Sequence, residues 1–183
     1  MKAWTVWITG LPGSGKSTVA QTILSRLEGE DIHAQILSTD MLRQVMTPEP
    51  SYSEGERQNL YATVVFITKL LNQNSVNVII DATGNLREYR DLGRRELVNF
   101  ILVYAKCPLE ICLKREAARK VSFGAPSEIY LKGLDGRSST VPGINVAYEE
   151  PLDADVVVET DKMTPTRCAE KIVEAIITRF TEK

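Results

Sequence analysis

The 183-residue sequence has one histidine, three cysteines and no long apolar run. The single histidine, His33, excludes a metal site built from several histidines. Cys107, Cys112 and Cys168 are odd in number and widely spaced, which fits neither a disulfide framework nor a paired zinc-binding motif. We therefore expect buried, reduced thiols, as in a cytoplasmic protein. No run of about 18 apolar residues is present, so no membrane-spanning helix is expected.

A strong charge imbalance is also missing, since the formal net charge is −2 with 25% charged residues. Nonspecific binding to nucleic acid or to a membrane therefore has no support from the overall charge. The first residues lack the pattern of a signal peptide, which again favours a cytoplasmic location. The length and the 43% hydrophobic residues predict one domain over residues 1–183 with a substantial core. A small-molecule substrate is the expected partner, and a homodimer stays open.

Five short runs rich in Val and Ile predict β-strands at residues 4–9, 34–38, 76–81, 100–105 and 155–159. They are almost continuous in apolar residues, which is typical of parallel strands covered on both faces. Helical periodicity lies between the runs, and Thr164 followed by Pro165 is a typical helix start. The alternation predicts a three-layer α/β fold with a five-stranded parallel sheet, in which ligands bind at the carboxyl ends of the strands.

One segment, residues 121–151, has no clear periodicity and contains many Gly and Pro residues. A long irregular segment inside a compact domain is usually a lid or a binding loop. Apolar residues such as Ile129, Tyr130 and Ile144 could dock onto the domain. We therefore expect a lid, and a disordered linker is the alternative.

The most specific motif follows the first predicted strand and comprises Gly10, Leu11, Pro12, Gly13, Ser14, Gly15, Lys16, Ser17 and Thr18. It matches the pattern G-x-x-x-x-G-K-S/T of a phosphate-binding P-loop, between a strand and a helix. The glycines let backbone N–H groups point at phosphate oxygens, and the start of the helix adds the positive end of its dipole. Lys16 is expected to contact the outer phosphates during catalysis, and the Ser17 hydroxyl is expected to bind Mg²⁺.

This motif predicts that the chain binds a nucleoside triphosphate with Mg²⁺ and that residues 10–18 contact the nucleotide. An ordinary glycine-rich turn is the alternative. The guanine-specific motif N-K-x-D is missing, which argues against a switch GTPase. The chain is also short for a motor or transporter ATPase, so a small kinase is favoured.

Polar residues follow the second and third predicted strands, where a kinase would hold its acceptor. Asp40 is our candidate for the catalytic base or for a Mg²⁺ ligand, with a helix cap as the alternative. Asp81 has the position of a Walker B carboxylate and is a second candidate Mg²⁺ ligand. Thr83, Gly84 and Asn85 follow it as a candidate substrate-binding loop.

Several arginines lie near these strand ends, namely Arg43, Arg57, Arg87 and Arg90. Arg43 and Arg57 are the stronger candidates for binding an anionic acceptor. Arg115 and Arg119, which precede the lid, are candidates for neutralising charge on the transferred phosphoryl group. Arg115 is therefore counted among the nucleotide-binding residues.

The chain resembles the adenylylsulfate (APS) kinase family, whose members phosphorylate the ribose 3′-hydroxyl of APS. The resemblance extends over most of the chain, through GLPGSGKST, STDMLR, YSEGERQN, CPLEICLKRE and VPGINVAYEEP. Matches to the family pattern fall on Asp40, Arg43, Arg57, Arg115, Tyr148, Glu149 and Pro151. The resemblance implies a P-loop kinase fold, ATP as phosphoryl donor and APS as the leading acceptor.

The acceptor half of the family pattern differs in this chain. Ser38 and Met41 replace an Asp and the Asn of Asp-Gly-Asp-Asn, and residues 60–63 replace Asn-Ile-Arg-Arg. Residues 82–85 replace the family's Ile-Ser-Pro loop with a sequence closer to P-loop kinases of sugars, nucleosides or polynucleotide ends. A related kinase for another nucleotide, sugar or nucleic-acid hydroxyl is therefore the alternative, and a nucleotide-binding regulatory module is the alternative of another class.

The family's lid also carries a phenylalanine, in Phe-Thr-Gly-Ile, that stacks on the APS adenine. Leu131 or Leu134 takes its place here, depending on the alignment. We therefore expect weak APS binding unless Tyr130, Tyr148 or Arg137 stacks on the base instead.

Overall fold

A five-stranded sheet lies at the centre of the computed structural model, which describes residues 3–180. Its strands are β1 (Thr5–Thr9), β2 (Ala34–Ser38), β3 (Asn77–Asp81), β4 (Phe100–Lys106) and β5 (Val156–Glu159). They are ordered β2-β3-β1-β4-β5, and every neighbouring pair is parallel. The α/β fold and all five predicted strands are confirmed, with each bound within one residue of its prediction.

The helices are α1 (Lys16–Gly29), α2 (Thr39–Met46), α3 (Glu54–Gln73), α4 (Arg87–Glu96), α5 (Leu109–Ala117), α6 (Ile129–Leu134) and α7 (Pro165–Phe180). The start of α7 is as predicted, because the hydroxyl of Thr164 accepts a hydrogen bond from the backbone N of Arg167 at 3.2 Å. Pro165, which has no N–H to satisfy, is the first helical residue. Within residues 3–180, no helix is long and apolar enough to cross a membrane.

Two hydrophobic clusters cover the opposite faces of the sheet. Ile8 of β1 packs in one cluster with residues of α1 and α7. Its neighbour Trp7 packs in the other with residues of α3 and α4. Successive side chains of a strand point to opposite faces, so β1 is buried on both sides. This explains why the strands are almost continuously apolar in sequence.

The lid, residues 121–151, docks onto the domain and contains α6 and an isolated β-bridge between Pro142 and Val146. Tyr130 and Val141 are buried in a third hydrophobic cluster together with Cys107 and Cys112. This packing favours the predicted lid over the alternative of a disordered linker. The expectation of free, buried thiols is confirmed for all three cysteines.

Candidate active site

The glycine-rich loop connects the end of β1 to the start of α1. Gly13 and Gly15 have φ angles of +75° and +90°, in the left-handed region that favours glycine. A Cβ atom on Gly13 would also lie 2.5 Å from the carbonyl oxygen of Cys112. The loop therefore needs glycine at position 13 both for its backbone conformation and for its contact with α5.

Lys16 is only 8% exposed and curls back onto its own loop. Its Nζ donates hydrogen bonds to the carbonyl oxygens of Gly10 and Leu11, at 3.0 and 2.9 Å. Burial lowers the pKa of Lys16, while the nearby carboxylates of Asp81 and Asp40 act in the opposite direction. The structure thus brings the loop lysine and both predicted carboxylates to one place.

Asp81 ends β3 and is 7% exposed. Burial raises the pKa of Asp81, although the charge of Lys16 and a hydrogen bond from Ser17 oppose this effect. Burial likewise raises the pKa of Asp40, against the opposing charges of Lys16, Arg43 and Arg119. A carboxylate with a raised pKa is a better proton acceptor than an ordinary one.

Asp40 lies in the first turn of α2 but does not cap it. The cap is Ser38, whose hydroxyl accepts a hydrogen bond from the backbone N of Met41 at 3.5 Å. The alternative interpretation of Asp40 as a helix cap is therefore wrong. The carboxylate of Asp40 is left facing the loop.

The oxygen atoms of Ser17, Asp40 and Asp81 suit Mg²⁺, which prefers hydroxyl, carboxylate and phosphate oxygens. In the described part of the chain, no group of three or more His, Cys, Asp or Glu side chains could hold a metal by itself. This fits Mg²⁺, because that ion is usually bound by one or two carboxylates together with substrate phosphates and water. These residues thus fit a nucleotide-bound magnesium ion.

Two cavities meet beside the glycine-rich loop. The loop cavity, of about 230 Å³, is lined by the predicted residues Pro12, Gly13, Gly15, Lys16, Ser17, Thr18, Asp40, Asp81, Thr83 and Arg115. The lid cavity, of about 420 Å³, lies between α2, α3 and the lid. Both cavities are lined by Pro12, Thr39, Asp40, Thr83 and Ile129. Asp40 therefore lies at the boundary between them.

Three loop residues predicted to bind nucleotide, Gly10, Leu11 and Ser14, line neither cavity. Gly10 and Leu11 instead supply the carbonyl oxygens that hold Lys16. The carbonyl oxygen of Ser14 accepts a hydrogen bond from the hydroxyl of Thr160 at 2.8 Å, which ties the loop to the segment after β5. Arg115 donates to the carbonyl oxygen of the same Thr160, at 2.8 Å.

Arg43 and Arg57 both line the lid cavity and are both 8% exposed, but their charges are balanced differently. Arg43 forms an ion pair with Glu56. Its guanidinium also lies 4.6 Å from the centre of the Tyr52 ring. Arg57 has no such carboxylate partner in the described residues.

Arg57 instead donates hydrogen bonds to neutral oxygens. Its Nε and Nη1 donate to the carbonyl oxygen of Tyr52 and to Oδ1 of Asn85, each at 3.0 Å, and its Nη2 donates to the carbonyl oxygen of Thr140. Burial lowers the pKa of Arg57, but a guanidinium stays charged at neutral pH. The wall of the lid cavity therefore includes a buried positive charge whose hydrogen-bond partners are all neutral.

The three predicted substrate-binding residues after β3 do not all line a cavity. Thr83 lines both cavities, whereas Gly84 and Asn85 line neither. The N–H of Gly84 donates to the phenolic oxygen of Tyr61 at 2.9 Å. Asn85 accepts from Arg57 and donates to the carbonyl oxygen of Ala147 in the lid, so it joins the loop to the lid.

Arg87 and Arg90 do not line either cavity. Arg90 is 1% exposed and donates to the carbonyl oxygens of Gly84 and Glu149. Arg87 donates from its backbone N to the carboxylate of Glu149 at 2.7 Å and from Nε to the carbonyl oxygen of Glu150. Both arginines thus hold the end of the lid.

The residues expected to stack on a base are placed differently from one another. Tyr130 is 2% exposed and donates from its hydroxyl to the carbonyl oxygen of Pro12 at 2.7 Å. The ring of Tyr148 packs beside Tyr104, outside both cavities. Neither tyrosine lines the lid cavity, so the structure does not favour either as the residue that stacks on a base bound there. Arg137, the third candidate, does line it.

The structure also does not favour the alignment of the family's phenylalanine with Leu131 or Leu134. Leu131 is 50% exposed and Leu134 is 62% exposed, and neither lines the lid cavity. Val141 lines it, followed by Pro142, Gly143 and Ile144. The shared Gly-Ile ending of Phe-Thr-Gly-Ile and Val-Pro-Gly-Ile is the signal that sequence reasoning missed.

Two aromatic residues of the lid cavity, Tyr52 and Tyr61, were also missed. Tyr52 begins the segment YSEGERQN, which was used only for its arginine. Tyr61 lies in the stretch that departs from the family pattern. Their rings give the lid cavity an aromatic surface, which was expected from Tyr130 or Tyr148 instead.

The family profile and curated relatives that match this sequence are described as adenylylsulfate kinases. The sequence profile of the family described as adenylylsulphate kinase matches residues 2–159. A probable adenylyl-sulfate kinase of Archaeoglobus fulgidus is 33% identical over 160 residues, which are 87% of this chain and 97% of that protein. The adenylyl-sulfate kinase of Halothermothrix orenii is 32% identical, over 94% of this chain and 89% of that protein.

A solved structure agrees with these sequence comparisons. The Mycobacterium tuberculosis APS kinase CysC in complex with AMPPNP and APS superimposes with a TM-score of 0.86. The two sequences are 26% identical, and the match covers 97% of this chain and 98% of that chain.

Proposed function

The chain belongs to the adenylylsulfate kinase family, and we propose that it transfers the γ-phosphoryl group of ATP to the 3′-hydroxyl of APS. The observation that carries the proposal is the meeting of the loop cavity and the lid cavity at Asp40. One cavity has the P-loop and the other has buried cations. The carboxylate between them has a pKa raised by burial.

The loop cavity is assigned to ATP. Backbone N–H groups of the P-loop and the positive end of α1 bind the phosphates, as Lys16 moves from the loop carbonyls to the phosphate oxygens. Mg²⁺ held by Ser17 and Asp81 would supply neutralising charge to the phosphates. Arg115 also lines this cavity and is assigned to nucleotide binding.

The lid cavity is assigned to the acceptor, and its charge favours an anion. Arg57 has a buried guanidinium whose protein partners are all neutral. A buried charge without a counter-charge is costly, and an anionic ligand would remove that cost. APS has two anionic groups and fits this requirement, whereas a neutral sugar does not.

Asp40 is assigned the role of general base. The acceptor oxygen attacks the γ-phosphorus while its proton passes to the carboxylate of Asp40. The bond between the γ-phosphorus and the bridging oxygen breaks, and its electron pair leaves with ADP. The products are ADP and APS phosphorylated on its 3′-oxygen.

An acceptor screen tests the proposal. ADP formation is measured with ATP and Mg²⁺ alone, and after adding APS, a nucleoside monophosphate, a sugar or an oligonucleotide. We expect turnover that depends on APS, with the phosphate on the 3′-oxygen of the product. Turnover with another acceptor supports the related kinase instead, and nucleotide binding without turnover supports a regulatory module.

A further inference from the structure

Glu116, in the last turn of α5, is a buried carboxylate that the chemistry above does not use. It is 6% exposed and lines the loop cavity. Its Oε1 accepts hydrogen bonds from the backbone N of Ile129, at 3.1 Å, and from Nη2 of Arg119, at 3.4 Å. Burying a carboxylate costs free energy unless it is paired, so these two partners are what hold it there.

The first partner, Ile129, is the first residue of α6 in the lid. The residue that precedes this helix, Glu128, has a left-handed φ of +55° and its side chain makes no capping hydrogen bond. Glu116 therefore satisfies a helix N–H that would otherwise lack an acceptor. Ile129 lines both cavities, so this contact fixes a wall that the two cavities share.

The second partner, Arg119, lines the loop cavity beside the P-loop. Its Nη2 also donates to the carbonyl oxygen of Pro126, which lines the lid cavity. Arg119 lines the loop cavity together with Lys16 and Asp40, the two groups between which the phosphoryl group would pass. The positive charge of Arg119 acts on both and contributes to lowering the pKa of each. Glu116 is its carboxylate partner at this position.

We propose that Glu116 is a positioning residue for phosphoryl transfer, because its one carboxylate holds both Arg119 and the start of α6. Arg119 is then oriented towards the γ-phosphoryl oxygens, whose charge it stabilises as the bond to the acceptor forms and the bond to ADP breaks. The start of α6 and the guanidinium of Arg119 are held together, because both donate hydrogen bonds to the carboxylate of Glu116. This inference rests on the proposed function for the identity of the reaction.

The test compares Glu116→Gln and Arg119→Ala, singly and combined, by steady-state kinetics with ATP and APS. Glutamine keeps an oxygen for the N–H of Ile129 but removes the negative charge opposite Arg119. We expect Glu116→Gln to lower kcat by about tenfold with little change in the KM for ATP, and Arg119→Ala to lower it by about 100-fold or more. In the Arg119→Ala background, Glu116→Gln should have almost no further effect.

Binding of ADP with aluminium fluoride, in the presence of APS, gives a readout that a structural defect alone would not produce. Both variants should bind ADP normally but lose affinity for the ADP–aluminium fluoride complex, which mimics the phosphoryl group in transfer. Matched controls are Glu110→Gln on the exposed side of α5 and Arg167→Ala on α7, where Arg167 pairs with Glu170. Neither control should change kcat.

Two results would overturn the inference. One is an equal fall in kcat from Glu116→Gln with and without Arg119, since the two residues would then act separately. The other is a parallel loss of ADP and ADP–aluminium fluoride affinity with a lower melting temperature, in Glu116→Gln and in the shorter Glu116→Asp. A wild-type protein with no APS-dependent turnover would instead reject the proposed function, so the two failures are distinguishable.

Discussion

Arg57 donates a hydrogen bond from Nη1 to Oδ1 of Asn85 across 3.0 Å, and both side chains are buried. Asn85 also donates to the carbonyl oxygen of Ala147. The side-chain amide of Asn85, in the loop after β3, thus joins the guanidinium of Arg57 in α3 to the end of the lid. The guanidinium is fixed in position, and within residues 3–180 it forms no ion pair with a carboxylate, which is the arrangement expected of a preformed anion site.

The first prediction is that Arg57→Gln raises the KM for APS and leaves the KM for ATP unchanged. Loss of a hydrogen bond to a charged group costs about 1.5–3 kcal/mol, which corresponds to about 12- to 140-fold. Arg57→Lys should recover little, because lysine cannot reproduce the guanidinium fork. Steady-state kinetics checks this, with Arg95→Gln on the exposed face of α4 as control. Equal rises in both KM values would contradict it.

The second prediction concerns the chemistry of Asp40. Asp40→Asn should lower kcat by about 100- to 10,000-fold, the usual contribution of a general base. The KM for ATP should change far less, because the base acts on the acceptor hydroxyl. Single-turnover measurement of ADP formation checks the chemical step. A normal rate would transfer the role of base away from Asp40, with Asp81 as the next candidate.

The third prediction is that the same variant, Asp40→Asn, is more stable than the wild type at neutral pH. Burial raises the pKa of Asp40 above its value in the unfolded chain, so its ionised form destabilises the folded state. Asparagine removes this cost, and the melting temperature should rise by a few degrees. The difference should shrink as the pH falls through the raised pKa and vanish below the unfolded value of 3.8. Calorimetry over this pH range checks it, and a lower melting temperature at neutral pH would show that the pairing with Lys16 dominates.

The sheet could be predicted because its signal is local. Strands β1, β3 and β4 are short runs that are almost entirely buried. The less buried β2 still has an apolar run, and its predicted bounds of residues 34–38 are confirmed. The P-loop was equally readable, since Gly13 and Gly15 meet backbone requirements within a few residues. Local patterns of this kind need no knowledge of which distant segments meet.

The lid cavity could not be predicted in the same way, because its walls are far apart in sequence. Tyr52 and Val141 line one cavity although 89 positions separate them. Tyr130 is an aromatic residue of the kind that can stack on a base. Its burial and its hydrogen bond to Pro12 depend on tertiary structure, which a sequence pattern does not show. The sequence also left open whether Asp40 caps α2, because Ser38 and Asp40 are both favourable cap residues and only the backbone decides between them.

The fourth prediction is that Lys16→Ala lowers the rate of phosphoryl transfer by about 100-fold or more, as expected for loss of one preorganised charge at the phosphates. Because Lys16 is buried and bonded to two loop carbonyls, a modest loss of stability should accompany this effect. Lys69→Ala, which removes an exposed lysine of α3, should be neutral. The P-loop assignment does not survive if Lys16→Ala keeps more than about a tenth of the wild-type rate.

The last prediction concerns the aromatic platform for the acceptor. Tyr52 lines the lid cavity, and the guanidinium of Arg43 lies over its ring. We expect the base of APS to stack on this ring. Base stacking on an aromatic ring is worth about 1–3 kcal/mol, so Tyr52→Ala should weaken APS binding by about 5- to 140-fold. Tyr52→Phe should preserve it. Arg137→Ala should have a smaller effect, because this exposed arginine is already paired with Asp135.

Calorimetric titration of the ADP-bound protein with APS measures these affinities directly. Tyr148→Phe is the matched control, since that ring lies outside both cavities. If Tyr52→Ala leaves APS affinity unchanged while Arg137→Ala abolishes it, the lid rather than α3 and its preceding segment recognises the base. In that case the closed lid would have to release Arg137 from Asp135 before APS binds, and APS affinity should then depend strongly on salt.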